Sequence, residues 1–213
     1  MTYVKASVRR PAGNPGNGIQ PKDQLVIYDV DDILYFPPRN EAGVVIEEDI
    51  VMKAGRYAIG IYLTPGTAEI SSNSDGETDA EGYTPSVKFN HPGNEQEIRE
   101  FKTNWLSKKC IVVLRYCSGK PADLIGTPCN PSKLSVSYTG SNESNTNELT
   151  FTQISKGDDI AIYRGTDTLE EPVAVVEAGA TDIDYQTDGQ YQLSAGAAKI
   201  AGVTGGSHGS VIT

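Results

Sequence analysis

Short alternations of apolar and polar residues recur along most of this chain, with the two-residue period of half-buried strands. Leu25-Val-Ile-Tyr-Asp-Val30 is the first strand candidate, and Pro37-Pro38 forbids regular structure beyond it. Val44–Lys53 and Arg56–Leu63 read as two strands joined near Ala54-Gly55. In the second, Tyr57, Ile59 and Ile61 fall on one face and Ala58, Gly60 and Tyr62 on the other. Apolar residues on both faces predict a strand covered on both sides. Cys110-Ile-Val-Val-Leu-Arg-Tyr116 is the most hydrophobic strand, with Ser118-Gly-Lys-Pro as its turn. Lys133–Thr139 alternates, Gly140–Asn147 is a polar loop and Glu148–Ile154 is the next strand. Asp159–Tyr163 and Val173–Glu177 complete the core strands, and Asp188-Gly189 is a two-residue hairpin signal before Tyr191 and Leu193.

One stretch changes period. Ile98, Phe101 and Trp105 recur at helical spacing, which predicts an amphipathic helix over 94–106. Asn94 is a good N-cap, Glu97 stands three residues on as in a capping box, and Lys108 and Lys109 follow the end. The stripe Ile98, Phe101, Trp105 is expected to cover an open sheet face. Residues 64–86 are acidic and turn-rich, and read as a mobile loop or a polar hairpin.

Composition sharpens this into a fold class. The 213 residues are rich in Val, Ile, Thr and Tyr, with 22 Gly and 12 Pro. β-branched and aromatic residues fit pleated surfaces, and Gly and Pro make turns. The expectation is a mainly β protein, a β-sandwich or barrel subunit with one flanking α-helix and a long inter-subunit loop. Residues 1–22 read as an N-terminal arm and linker, 23–165 as the β core and 166–213 as a C-terminal extension.

The net charge of −10 argues against a nucleic-acid groove, which needs concentrated Lys and Arg. Its distribution is uneven. Residues 1–22 carry Lys5, Arg9, Arg10 and Lys22 and no acid, while residues 65–82 carry Glu69, Asp75, Glu77, Asp79 and Glu81 and no base. The start of the chain lacks an apolar signal region, and no stretch is long enough to span a membrane. Cys110, Cys117 and Cys129 are odd in number without a CxxC, the pattern of reduced thiols rather than of a disulfide or zinc framework.

Little catalytic chemistry is legible. Gly205-Gly-Ser207-His208-Gly209 matches the nucleophile-elbow pattern, but only four residues follow it, leaving no room for the helix and the later histidine an elbow needs. The acidic run Asp75, Glu77, Asp79, Glu81 lacks the EF-hand order of Gly and Glu and reads as a solvated like-charge segment. His91 and His208 stand alone. These observations favour a non-enzymatic protein with no cofactor and no metal.

The order of elements resembles the tail tube (major tail) proteins of long-tailed bacteriophages, in particular of phages infecting Bacteroidetes-type hosts. The resemblance covers roughly residues 40–165. It rests on the helix, on Asn104–Tyr116, on Gly126-Thr-Pro-Cys-Asn-Pro-Ser-Lys-Leu134 and on Leu149–Gly165, ending Ile160-Ala-Ile-Tyr-Arg-Gly165. It implies a virion structural protein, assembled in the host cytoplasm. Its copies form stacked hexameric rings whose inner sheets join into one barrel around a DNA-conducting channel. Partners would be the chain itself and other tail proteins; DNA passes without specific binding. Six copies at −10 each carry −60 formal charges, which would repel phosphate. Inter-ring contacts are expected from Tyr3, Val4, Lys5, Arg9 and Arg10 on the basic arm. Their counterparts are Glu69, Ile70, Asp75, Glu77, Asp79 and Glu81 on the acidic excursion. Other virion parts (head decoration, tail completion, connector) and an adhesive or carbohydrate-binding sandwich share this profile.

Overall fold

The computed structural model describes residues 6–14, 16–117 and 119–169, and the backbone of four short strands beyond them. The chain divides into two compact units, Met1–Leu169 and Glu170–Thr213.

The first unit is mainly β with one α-helix. Its strands are β1 (Pro21–Asp29), β2 (Ile33–Tyr35), β3 (Val45–Ile46), β4 (Val51–Met52), β5 (Ile59–Tyr62), β6 (Glu69–Asp75) and β7 (Gly82–Pro92). Then come α1 (Gln96–Trp105), β8 (Cys110–Tyr116), β9 (Ala122–Ile125), β10 (Ser132–Gly140), β11 (Asn145–Gln153) and β12 (Ala161–Tyr163). Ten of these strands form one hydrogen-bonded sheet, with β2 and β4 pairing separately. The ten fall into two layers. One runs β5-β1-β8-β9-β12-β3, the other β10-β11-β7-β6, and only the pair Ser132–Cys110 joins them. The chain turns this corner at Gly126, whose φ of +92° suits glycine and whose added Cβ would stand 3.2 Å from the Cys110 carbonyl oxygen.

Packing follows the strand period. On β1 and β8, Leu25, Ile27, Val112 and Leu114 point between the layers. There they meet Val87, Phe89, Leu134, Leu149 and Phe151 of the second layer, and Phe89 stacks on Phe151. The alternate residues Val26, Tyr28, Ile111 and Val113 point the other way, against Ile46, Ile50, Ala58 and Tyr163. Each fully buried aliphatic or aromatic side chain contributes about 1.5–3 kcal/mol relative to exposure. The two-sided burial expected of Arg56–Leu63 is a property of β1 and β8 instead. β5 is an edge strand, and Tyr57 and Tyr62 stay exposed.

Helix α1 closes one open end of the sandwich. Ile98 is buried, and Phe101 and Trp105 are half-buried against the inter-layer cluster, their rings stacked 5.7 Å apart. The capping box does not form. Glu95 is the N-cap and makes no side-chain cap bond, because Asn94 is used elsewhere: its Oδ1 accepts from Lys102 Nζ at 2.9 Å and its carbonyl from Arg99. Lys102 also donates to the fully buried Asn147, at 2.6 Å, and lies over the Tyr138 ring.

Other expectations change. Val44–Lys53 is not one strand: β3 runs parallel to β12, and β4 pairs with β2. Ala122–Ile125 is a strand the sequence pattern did not single out. Residues 64–86 take the polar-hairpin form of the two expected: after a turn at Pro65-Gly66, β6 pairs with the start of β7 around the turn at 76–81. The core reaches past residue 165, because Asp167 and Leu169 pack into it.

In the second unit, β13 (Ala174–Val176) pairs in parallel with β15 (Tyr191–Leu193), and β14 (Asp182–Asp184) with β16 (Gly202–Thr204). Of the expected Val173–Glu177 strand, Ala174–Val176 is described, and it pairs within the second unit. The segment after Asp188-Gly189 joins a parallel pair, not a hairpin with its immediate predecessor. The sequence explains one pairing. Val176-Glu-Ala-Gly-Ala-Thr-Asp-Ile183 recurs as Leu193-Ser-Ala-Gly-Ala-Ala-Lys-Ile200, in the same register as β13 on β15.

Candidate assembly surfaces

The second layer is the most distinctive surface of the first unit. Its cross-strand register sets every other residue on one face. The inner set, including Ile70, Val87, Phe151 and Leu134, is core. The outer set aligns Glu69, Lys88, Thr150 and Ser135 in one row, and Ser71, Ser86, Thr152 and Lys133 in the next. Asn90, Glu148 and Ser137 make a third. Apart from Pro92 and Gly82 this outer face is wholly polar, and mostly Ser, Thr and Asn. Its charges are mixed. Lys88 lies 3.8 Å from Glu69 and 3.9 Å from Glu148, and Lys133 and Asp75 add one of each sign. Two cations against three anions leave −1 per copy, so the chain's strong negative charge lies elsewhere.

Both borders of this layer lack a strand partner among the described residues. β6 pairs only with β7, and β10 beyond Ser132 pairs only with β11. β6 carries no Pro, Lys or bulge, the usual devices that keep an edge from pairing.

The residues expected at inter-ring contacts are dispersed. Tyr3, Val4 and Lys5 lie outside the described residues. Arg9 and Arg10 sit on an exposed arm, where Val8 is 97% accessible. Ile70 is a correction: its register opposite Val87 turns it into the inter-layer core, so it is not a free contact. Glu69 and Asp75 are on β6, and Asp75 pairs with Lys156 at 3.1 Å and accepts from the Gly76 amide. That pairing holds the Asp75 carboxyl below its ordinary range. Glu77, Asp79 and Glu81 occupy the exposed turn, where Asp79 adopts a φ of 72°. The root of the arm and this turn lie toward different ends of β7. Leu63 bonds Asp23 and Thr64 bonds Asn90, so the arm leaves near the Asn90 end of β7 while the acidic turn enters at Gly82. Gly82 and Asn90 are eight residues apart along β7, about 27 Å.

Two features carried no sequence signal that singled them out. The β2–β4 ribbon exposes Leu34, Tyr35 and Val51. The Asp167 side chain is buried, accepting from Tyr28 Oη at 2.5 Å and pairing with Arg115. Arg115 also lies over the Tyr163 ring and donates to the Gly165 carbonyl. Desolvation first, then Asp167, push the Tyr28 phenol above its ordinary range.

His91 uses Nδ1 against the Tyr62 carbonyl at 2.9 Å, and His208 with Gly205–Gly209 lies outside the described residues. Among the described residues no three His, Cys, Asp or Glu are grouped to hold a metal ion, and no helix is long and apolar enough to cross a membrane. Cys110 is buried and Cys117 and Cys129 are exposed, all as free thiols. Comparison with known protein families, curated proteins and solved structures gives no match.

Proposed function

We propose that this chain is a virion structural protein, the tail tube subunit of a tailed bacteriophage, whose copies join into rings around a channel. The observation that carries this reading is the four-stranded layer β10-β11-β7-β6, open at both borders, apolar on one face and polar on the other. Copies in a ring keep one orientation along its axis. Three successive antiparallel pairings make β10 and β6 run in opposite senses. β6 of one copy therefore meets β10 of the next as an antiparallel neighbour, the geometry used within each copy. Six copies at four strands each close a barrel of 24 strands, wide enough for an aqueous channel.

In such a barrel the polar face lines the channel and the inter-layer core stays outside it. A wall of short hydroxyl and amide side chains with balanced charge gives phosphate no row of cations to bind, so DNA slides without a specific site. The basic arm and the acidic turn lie toward opposite ends of β7, as head-to-tail stacking needs. The virion is the corresponding location, with assembly in the host cytoplasm and other tail proteins as end partners. Negative-stain microscopy of the purified chain tests the reading. Rings or tubes with a central hole are expected, and monodisperse single subunits at high concentration overturn it.

A further inference from the structure

The other layer also has an unfinished border. On β5 the Leu63 amide bonds inward to Asp23, whereas the Ala58 amide bonds outward to Thr168 and the Tyr62 carbonyl outward to His91. The alternation leaves the amide and carbonyl of Gly60 and the amide of Tyr62 on the outward edge, with no partner among the described residues. Beside this edge is a slot of about 250 Å³, lined by Gly60, Ile61, Tyr62, His91, Ile98 and Phe101, with Glu97 at its rim. It takes one aliphatic side chain. Glu97 forms no ion pair among the described residues.

The N-terminal arm has complementary chemistry. Ala6-Ser-Val-Arg-Arg10 ends at Pro11, is exposed along its length with Val8 97% accessible, and carries two cations in a segment free of acid. We propose that Ala6–Arg10 of one copy adds as a strand to the β5 edge of a second copy, with Val8 in the slot. Val8 opposite Ile61 sets its side chain on the α1 side. The Ser7 and Arg9 backbones then meet the free groups of Tyr62 and Gly60, and Arg10, on the same face as Val8, approaches Glu97. The pairing rests on the reading of the chain as a self-assembling subunit, and gives the basic arm a receptor other than the acidic turn.

The test uses full-length Val8→Asp protein, whose own arm cannot fill the slot, and a fluorescent synthetic peptide of residues 1–12. Val8 is solvent-exposed, so the substitution leaves the fold intact. Anisotropy should report saturable binding, lost when the peptide carries Val8→Asp and weakened ~tenfold when the protein also carries Glu97→Lys. The Val8→Asp, Glu97→Lys protein should recover binding to a peptide with Arg10→Glu. No binding of the native peptide, or equal binding of the Val8→Asp peptide, overturns the proposal. Sedimentation identifies the occupant: wild type should be larger than the Val8→Asp protein. A wild type that stays a monomer despite peptide binding would mean that each arm folds onto its own copy, and would overturn exchange. Rings in the microscope beside a silent peptide sink arm exchange and leave the tube reading standing; a binding peptide without rings does the reverse.

Discussion

Tyr28 and Asp167 are 139 residues apart in sequence, yet the Tyr28 hydroxyl donates to Asp167 Oδ1 at 2.5 Å. With Arg115 on the other carboxylate oxygen, this bond fastens the last stretch of the first unit to the centre of β1 and β8. The Asp167 side chain is only 5% exposed. Asp167→Ala strands a guanidinium and a phenol, and should cost roughly 3–5 kcal/mol in urea denaturation. A loss under 1 kcal/mol would show that the clasp is replaceable by water.

Burial orders the helix stripe. Ile98 is 4% exposed whereas Phe101 and Trp105 are only half-buried. Ile98→Ala should therefore cost about 2–5 kcal/mol. Trp105→Ala should cost about 2 kcal/mol despite removing a larger side chain, because part of its surface is already wet. Thermal melts of both variants check the order, and the reverse order would mean that Trp105 is buried in solution by something else.

Alkaline pH should weaken the fold. Burial pushes the Cys110 thiol from 9.0 up to about 12, and desolvation raises the phenols of Tyr28 and Tyr116 above their ordinary 10.0. These groups keep their protons in the folded chain longer than in the unfolded one. Their contribution is complete below the unfolded values and declines as pH rises past 9–10, by about 1.4 kcal/mol per pH unit for each group. Denaturant midpoints at pH 8 and pH 10.5 check the sign. Native alkylation at pH 8 should label Cys117 and Cys129 and spare Cys110.

A charged β6 edge should stop lateral joining without disturbing the fold. Ser71 and Asn73 point away from the core, so the double change Ser71→Lys, Asn73→Lys should leave melting within about 0.5 kcal/mol of wild type. The same change should abolish rings, since edge lysines oppose strand pairing. Intact rings from this variant would move the lateral contact to another border.

The sequence made the apolar elements legible. Cys110–Tyr116 is a strand, and Ile98, Phe101 and Trp105 share one side of a real helix. What stayed hidden was polar or distant. β6 offers a single apolar residue, Ile70, so its Ser, Asn and Asp pattern fits a loop as well as a polar hairpin, and only the pairing of every residue with β7 decides between them. Ile70 consequently looked available for contacts when its register had already committed it to the core. Asn94 fits an N-cap by type, but the buried Asn147 lies out of sight of local pattern, and Lys102 links the two. The polar face could not be seen because it exists only once four strands are in register.

Closure of the first unit at Asp167 and Leu169 marks a place for grafting. Among the described residues its ladders and both apolar clusters draw on nothing beyond Leu169. A foreign domain spliced in at this junction would ride on each copy without interrupting the core. The chain would then become a scaffold that repeats its cargo at the spacing of its own assembly.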